Sequence, residues 1–166
     1  QGGVDGRPMA GGQLRFGSSP QVFSAVLDGA MRALAGLPDA VLGVAPHSLR
    51  AVSRETLDRV AGMTGGPVHI HIAEQVAEVA EVQAAWGARP VEWAVANLAL
   101  DGRWCMIHAT QMTPDETASL ARTGAVAGLC PITEANLGDG IFDGPGWLGA
   151  AGAFGVGTDS DVRISL

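Results

Sequence analysis

The sequence predicts an α/β fold in which parallel strands alternate with helices in a (β/α) barrel. Short apolar runs alternate with helical patterns along the chain, and these runs are apolar on both faces, as in a parallel sheet covered by helices. Nearly every run is also followed by a polar side chain. The carboxyl ends of barrel strands converge on one mouth, whereas an open sheet spreads them along a crevice, so the barrel is favoured.

The order of elements supports this fold class. We expect strands at residues 41–45, 68–72, 104–108, 126–130 and 154–157. We expect helices over residues 20–36, from the cap Ser53, over 74–86, over 90–97, and from the cap Thr113 to about residue 122. A complete barrel has eight strands and about 250 residues, so about five strand–helix units predict the C-terminal part of a (β/α)8 TIM barrel. Residues 1–18 are predicted to be a loop-like lead and 19–166 the partial catalytic barrel.

Composition excludes several classes of function. The formal net charge is −7 and the ten basic residues are scattered, so we expect no nucleic-acid partner. No apolar run approaches the ~20 residues of a membrane span, and no signal pattern opens the chain. Cys105 and Cys130 lie in apolar runs, which predicts reduced, buried thiols and a cytoplasmic protein. Both ends look cut, so we expect the chain to be part of a longer protein.

The pair His69 and His71 is the first candidate for a metal site. Residues two apart on a strand share a face, so the pair can chelate a metal, although one of them can equally be a hydrogen-bonded core residue. Glu74 favours a site, because a carboxylate three residues beyond His71 can stand near a metal-bound water without being a ligand. His71 is then predicted to lie at the mouth as the ligand, with His69 one layer deeper as a core residue.

His108 and Asp159 complete the candidate set. Each follows an apolar run, although His108 alone can be structural and Asp159 can cap a helix. Four separate coincidences are less probable than one site, and imidazole with carboxylate is a zinc ligand set. We therefore predict that Asp159 ligates zinc and accepts the first proton, that His108 orients the hydroxide, and that Glu74 moves its proton to a leaving amine. Asp161 is predicted to be exposed or a cap.

Arg50 follows His47 by three residues at the rim of the same predicted mouth. A guanidinium at this position can bind a substrate carboxylate through two hydrogen bonds. The alternative is a surface arginine that covers the next helix.

Five motifs in order resemble the formiminoglutamate deiminase family of the amidohydrolase superfamily. They are GVAPHSLRAV, HIHIAEQ, MIHATQM, GLCPITEANLGDGIF and GVGTDSDVRISL, and the similarity spans residues 12–166. The resemblance implies a zinc enzyme of histidine degradation that converts N-formimino-L-glutamate and water to N-formyl-L-glutamate and ammonia. It implies that His71 and Asp159 are zinc ligands and that Glu74 and His108 are the proton shuttle and the hydroxide-orienting residue. His47 and Arg50 match positions that hold the substrate's carboxylates.

The sequence departs from the family in one respect. The family's first barrel strand supplies two further zinc ligands in an HxH motif, and no histidine precedes residue 40 here. We therefore expect the other ligands upstream, and we expect the 166 residues alone to hold zinc weakly and to be inactive.

Two other functions stay open. One is another amidohydrolase-type deaminase that acts on a purine, pyrimidine or guanidino compound, and the other is a non-catalytic barrel fragment. Assembly as a homodimer is also an open possibility, because Trp93 and Trp147 can lie in an interface as readily as in a core.

Overall fold

The computed structural model describes residues 1–160 and forms a parallel α/β sheet with helices packed against it. Four strands lie in the order β1-β2-β3-β4, and all neighbours are parallel. The strands are β1 (Val68–Ile72), β2 (Trp104–His108), β3 (Val126–Leu129) and β4 (Phe154–Val156). The helices are α1 (Pro20–Leu34), α2 (Arg54–Ala61), α3 (Val76–Trp86), α4 (Pro90–Asn97), α5 (Pro114–Ala121), α6 (Pro131–Leu137) and α7 (Gly144–Gly149), preceded by a 3₁₀ turn at Gly11–Arg15.

The predicted caps begin their helices as expected. The Ser53 hydroxyl accepts a hydrogen bond from the Thr56 N–H at 3.3 Å, at the start of α2. Thr113 and Glu116 form a reciprocal capping box at the start of α5, at 3.2 and 2.8 Å. Each cap satisfies backbone N–H groups that the first helical turn leaves unpaired, so these helix starts were predictable from sequence.

The predicted strand at 41–45 is wrong as a full strand. Within this segment Val44 forms an isolated parallel bridge with Val68, and Ser48, beyond the segment, forms a second one with His71. Pro46 lies between the bridges and has no N–H for a ladder. The chain also crosses close to the backbone at Pro67, whose carbonyl oxygen would lie 2.4 Å from a Cβ atom at Gly43.

Helix α3 begins at Val76, two residues later than predicted. Ala73 has a φ of +49°, outside the helical region, so the chain turns before the helix starts. Helices α6 and α7 were not predicted. Both are short, and α7 contains three glycines and a proline, so neither offers the apolar periodicity of a longer helix.

The core lies between the sheet and its helices. Val68, Ile70 and Ile72 of β1 are buried there. His69 faces the other side of β1 and is exposed, so its predicted role as a core residue is wrong. The strand period of two explains this, because His69 shares a face with His71 rather than with the apolar residues.

Trp93 and Trp147, which the sequence left unassigned between a core and an interface, both lie in the core. Trp93 is 5% exposed and Trp147 is fully enclosed. Trp147 packs directly against Gly152, where any Cβ atom would lie 2.4 Å from the indole ring. Within residues 1–160, the helices are all too short or too polar to cross a lipid bilayer.

Candidate active site

Three of the predicted site residues meet at the carboxyl end of the sheet. His71, His108 and Asp159 each offer a ligand atom, and these atoms lie within 4.8 Å of one another. The register explains the convergence of the two histidines, because Ile72 pairs with His108 and both strands therefore end at the same level. The imidazole rings of His71 and His108 are stacked, with centroids 5.7 Å apart.

Two of these three residues, His108 and Asp159, have a strained backbone. His108 has a φ of +70° and Asp159 a φ of +53°, a region that non-glycine residues rarely adopt. Strand alternation alone would place His108 on the buried face with Trp104 and Met106. The left-handed residue at the end of β2 instead brings its ring beside His71. Strain of this kind costs about 1–3 kcal/mol per residue and clusters at functional sites.

The Nδ1 atom of His71 has a fixed hydrogen-bonding role. Its Nδ1 lies 2.7 Å from the backbone carbonyl oxygen of His47, and its own N–H donates to the same carbonyl oxygen at 3.0 Å. A carbonyl oxygen only accepts, so Nδ1 is the protonated nitrogen and Nε2 holds a lone pair. His71 is therefore fixed in the form that a metal ligand requires.

His108 lies between two carboxylates. Its Nδ1 is 3.2 Å from Glu134 Oε1, and its Nε2 is 3.6 Å from Glu74 Oε1. Burial by itself lowers the pKa of His108, but the hydrogen bond to Glu134 and the charges of Glu74, Glu134 and Asp159 outweigh it and raise that pKa above its ordinary value. The ring is 1% exposed, so its orientation is set by these neighbours.

Glu74 is placed by the turn between β1 and α3. The fully buried Glu78 accepts from the N–H groups of Ala73 and Glu74, at 3.1 and 3.0 Å. Thr110 donates to the Glu74 carbonyl oxygen at 2.6 Å. Burial raises the pKa of the Glu74 carboxyl, an effect that nearby Asp139 reinforces and His108 opposes. A carboxyl group of raised pKa is suited to both accepting and releasing a proton.

His47 lies beside His71, and the charge of Arg50 reaches His47. The ring centroids of His47 and His71 are 4.9 Å apart, and His47 Nδ1 lies 3.0 Å from the Ser48 hydroxyl. Burial, with the neighbouring charges of His71 and Arg50, lowers the pKa of His47. Within residues 1–160 no carboxylate lies at ion-pair distance from Arg50, so its guanidinium can accept an outside anion.

Sequence reasoning missed three acidic residues around the site. They are Glu78, which resembles a solvent-facing helix residue in the sequence, and Glu134 and Asp139, to which no role was assigned. All three are buried, with exposures of 0%, 6% and 6%. A signal was present for one of them, since Gly138 and Gly140 bracket Asp139 in the sequence.

The donor set of the first cluster fits a zinc ion. His71 offers a neutral Nε2 and Asp159 a carboxylate, which are ordinary zinc ligands. A second cluster of His108, Cys130 and Glu134 fits less well. Burial, together with the charges of Asp159 and Glu134, raises the pKa of Cys130 to about 12, so its thiol stays protonated near neutral pH. Asp161 lies outside the described residues.

Comparison with known proteins agrees with this fold and arrangement. No protein-family model matches the chain. A curated formimidoylglutamate deiminase from Pseudomonas aeruginosa is 46% identical over 99% of this chain and 36% of that protein. A solved amidohydrolase from Brucella melitensis matches with a TM-score of 0.95 and 49% identity, over 99% of this chain and 37% of that one. An adenosine deaminase from Xanthomonas campestris, solved with bound zinc, matches with a TM-score of 0.78 and 26% identity, over 85% of this chain and 33% of that one.

Over these residues the chain belongs to the amidohydrolase superfamily and forms part of its (β/α) barrel. Within the superfamily it is similar to formimidoylglutamate deiminase, as the five motifs predicted. The chain spans about a third of the length of these relatives. The predicted fold class and the predicted family resemblance are both confirmed.

Proposed function

We propose that the full-length gene product containing these residues is a zinc-dependent iminohydrolase of histidine degradation. It hydrolyses N-formimino-L-glutamate to N-formyl-L-glutamate and ammonia. The single observation that supports this most is the convergence of His71, His108 and Asp159, with Glu74 beside them, at the carboxyl end of the sheet. The chain that carries this site is 46% identical to a formimidoylglutamate deiminase. Free thiols at Cys105 and Cys130 agree with a cytoplasmic setting.

In this proposal His71 and Asp159 hold the zinc ion, with further ligands supplied by residues outside this chain. When bound, zinc supplies Lewis-acid activation of the attacking water. Two protein ligands bind zinc more weakly than a complete set, so the 166 residues alone are expected to be inactive.

The chain's own residues move the protons. The attacking water loses one proton to Asp159 and is held by the Nε2 atom of His108, which lies 3.6 Å from Glu74. Glu74 delivers a proton to the departing nitrogen, a role that agrees with burial raising its pKa above the ordinary value of a carboxyl group. The water oxygen adds to the amidine carbon, which turns the C=N bond into a single bond. The C–N bond to the protonated nitrogen then breaks as the added hydroxyl gives its remaining proton to Glu74 and becomes the formyl C=O, and the nitrogen leaves as ammonia.

Arg50 and His47 bind the substrate's carboxylates in this proposal. The guanidinium of Arg50 is the better anchor, since it is permanently charged and no carboxylate of residues 1–160 pairs with it. This favours a dicarboxylate over the neutral bases used by other deaminases. The substrate is a small molecule, with no role for nucleic acid or membrane.

Ammonia release tests the proposal. The full-length gene product, loaded with zinc, is given N-formimino-L-glutamate, adenosine and guanine in parallel. Turnover of the first substrate alone supports the proposal. Turnover of adenosine or guanine would support another deaminase instead, and a lack of turnover with all three would support a non-catalytic role. Robust zinc-dependent turnover by the isolated 166 residues would refute the expectation that they are inactive.

A further inference from the structure

Arg89 and Glu116 form a shielded ion pair outside the candidate site. The Nε atom of Arg89 lies 2.9 Å from the Oε2 atom of Glu116, and the two side chains are 27% and 7% exposed. Removing these charges from water is costly, so such a pair is retained only where its geometry is good and further hydrogen bonds complete it. The other partners of each side chain therefore indicate what the pair holds in place.

Glu116 joins the starts of two helices. Its Oε1 atom accepts from the Glu92 N–H in the first turn of α4 at 3.3 Å, and its Oε2 atom accepts from the Thr113 N–H at the start of α5 at 2.8 Å. Backbone N–H groups at a helix start have no partner within the helix. One carboxylate therefore caps both helices and fixes their first turns relative to each other.

Arg89 extends this contact to the β2–α5 loop, residues 109–113. While its Nε atom pairs with Glu116, its Nη2 atom donates to the backbone carbonyl oxygen of Gln111. The planar guanidinium group presents these two donors in a fixed geometry, which a lysine cannot do. The ion pair therefore holds the β2–α5 loop at two points, Gln111 in its middle and Thr113 at its end.

The β2–α5 loop in turn holds the chain between β1 and α3. Three consecutive loop residues donate to backbone carbonyl oxygens there: Ala109 to Ile72 at 3.0 Å, Gln111 to Ala73 at 2.8 Å and, through its hydroxyl group, Thr110 to Glu74 at 2.6 Å. A displacement of the loop therefore displaces Glu74, the proton donor of the proposed reaction.

The β2–α5 loop also follows a strained part of the backbone. His108 and Ala109 have φ values of +70° and +51°, a region that is costly for residues other than glycine. Such conformations persist only where the surrounding structure holds them. Release of the loop would allow both residues to relax and would turn the His108 ring away from His71.

We propose that the Arg89–Glu116 ion pair positions Glu74 and His108 for proton transfer by holding the β2–α5 loop in place. This inference rests on the proposed function, which gives Glu74 and His108 their roles. Arg89 and Glu116 are positioning residues, since they act through the loop and move no protons themselves. Within residues 1–160 no hydrogen bond joins this loop to His47 or Arg50, so substrate binding does not depend on the ion pair.

Steady-state kinetics of the full-length gene product with N-formimino-L-glutamate test the proposal. Arg89→Met keeps the apolar stem and removes both donors, so kcat is expected to fall about 10- to 100-fold while KM changes less than about threefold. Arg89→Lys keeps the charge opposite Glu116 but cannot also reach Gln111. It should restore the thermal unfolding midpoint and leave kcat at least about fivefold low. The matched control is Arg122→Met at the exposed end of α5, which should change neither quantity.

Amide hydrogen exchange at Gln111 reports on the loop directly. This N–H donates to the Ala73 carbonyl oxygen, so it should exchange faster in Arg89→Met than in the unaltered protein. Zinc content is measured for every variant, and kcat is expressed per zinc-loaded site. If Arg89→Met does not fold, Arg89→Lys decides alone, through a low kcat at an unaltered unfolding midpoint.

An unchanged kcat in Arg89→Met would overturn the proposal. So would a rise in KM equal to the fall in kcat, or a kcat that Arg89→Lys restores together with the unfolding midpoint, because the ion pair would then be a purely structural contact. If the unaltered protein releases ammonia from adenosine or guanine instead, the proposed function fails, and the same comparison of variants is made with that substrate. No turnover of any of the three substrates by the unaltered protein would refute both the proposed function and the positioning role.

Discussion

One carboxylate oxygen of Glu134 accepts hydrogen bonds from two buried donors. The contributions of these hydrogen bonds and of the carboxylate charge to stability can therefore be measured separately. Its Oε1 accepts from the Cys130 N–H at 2.8 Å and lies 3.2 Å from His108 Nδ1. Glu134→Ala leaves both donors without an acceptor. A buried donor without a partner costs about 1–3 kcal/mol, so the alanine variant should lose about 2–6 kcal/mol of stability. Glu134→Gln keeps an oxygen in place and should lose about 1 kcal/mol, since only the charge is removed.

Urea unfolding of the zinc-free, full-length gene product measures both free energies. The alanine variant should also show faster amide hydrogen exchange at Cys130, whereas the glutamine variant should not. Thr133→Ser, in the same helix, is a conservative control. Equal losses for Glu134→Ala and Glu134→Gln would refute the reasoning, because they would mean that charge rather than the two hydrogen bonds holds this region together.

Three further outcomes are expected. The stability lost in Glu134→Gln should be larger at about pH 5.5 than at about pH 9. The folded protein raises the pKa of His108, so protonated His108 stabilises the fold below the unfolded pKa of 6.5, and this stabilisation is lost as the pH rises through the folded pKa. Urea unfolding at the two pH values checks the sign of the difference. Glu78→Gln replaces one of the two acceptor oxygens of the Glu78 carboxylate by a donor, so it should lower the free energy of unfolding by about 1–3 kcal/mol. It should also lower kcat, because Glu78 holds the turn that positions Glu74. The control Glu81→Gln, on the exposed face of α3, should change neither the free energy of unfolding nor kcat. Arg50→Met should raise the KM for N-formimino-L-glutamate at least about tenfold, and an unchanged KM would remove Arg50 from substrate binding.

The alternation of strands and helices was predictable because each element has a strong local signal. The caps at Ser53 and Thr113 fix helix starts through side-chain hydrogen bonds that depend on nearby residues alone. The prediction of a full strand at 41–45 was wrong, because apolar composition does not reveal that Gly43 passes against the backbone at Pro67. That information depends on distant parts of the chain.

In the candidate site too, the features set by local sequence were predictable and those set by distant parts of the chain were not. The prediction that His71, His108 and Asp159 come together follows from strand ends meeting at one edge of a parallel sheet. The exposure of the His69 side chain was not predicted, because burial depends on what covers each face of the sheet, and the sequence of one strand does not reveal this. Glu78 and Asp139 were missed because their burial arises from a turn and a glycine-bracketed loop rather than from hydrophobic periodicity.

The central claim is that His71 and Asp159 hold a zinc ion beside His108 and Glu74. Anomalous diffraction at the zinc absorption edge, from crystals of the full-length gene product, tests it directly. We predict one strong peak about 2.0–2.2 Å from His71 Nε2 and from an Asp159 carboxylate oxygen. A zinc peak at another site would contradict the claim. So would a protein that carries no zinc yet releases ammonia from N-formimino-L-glutamate.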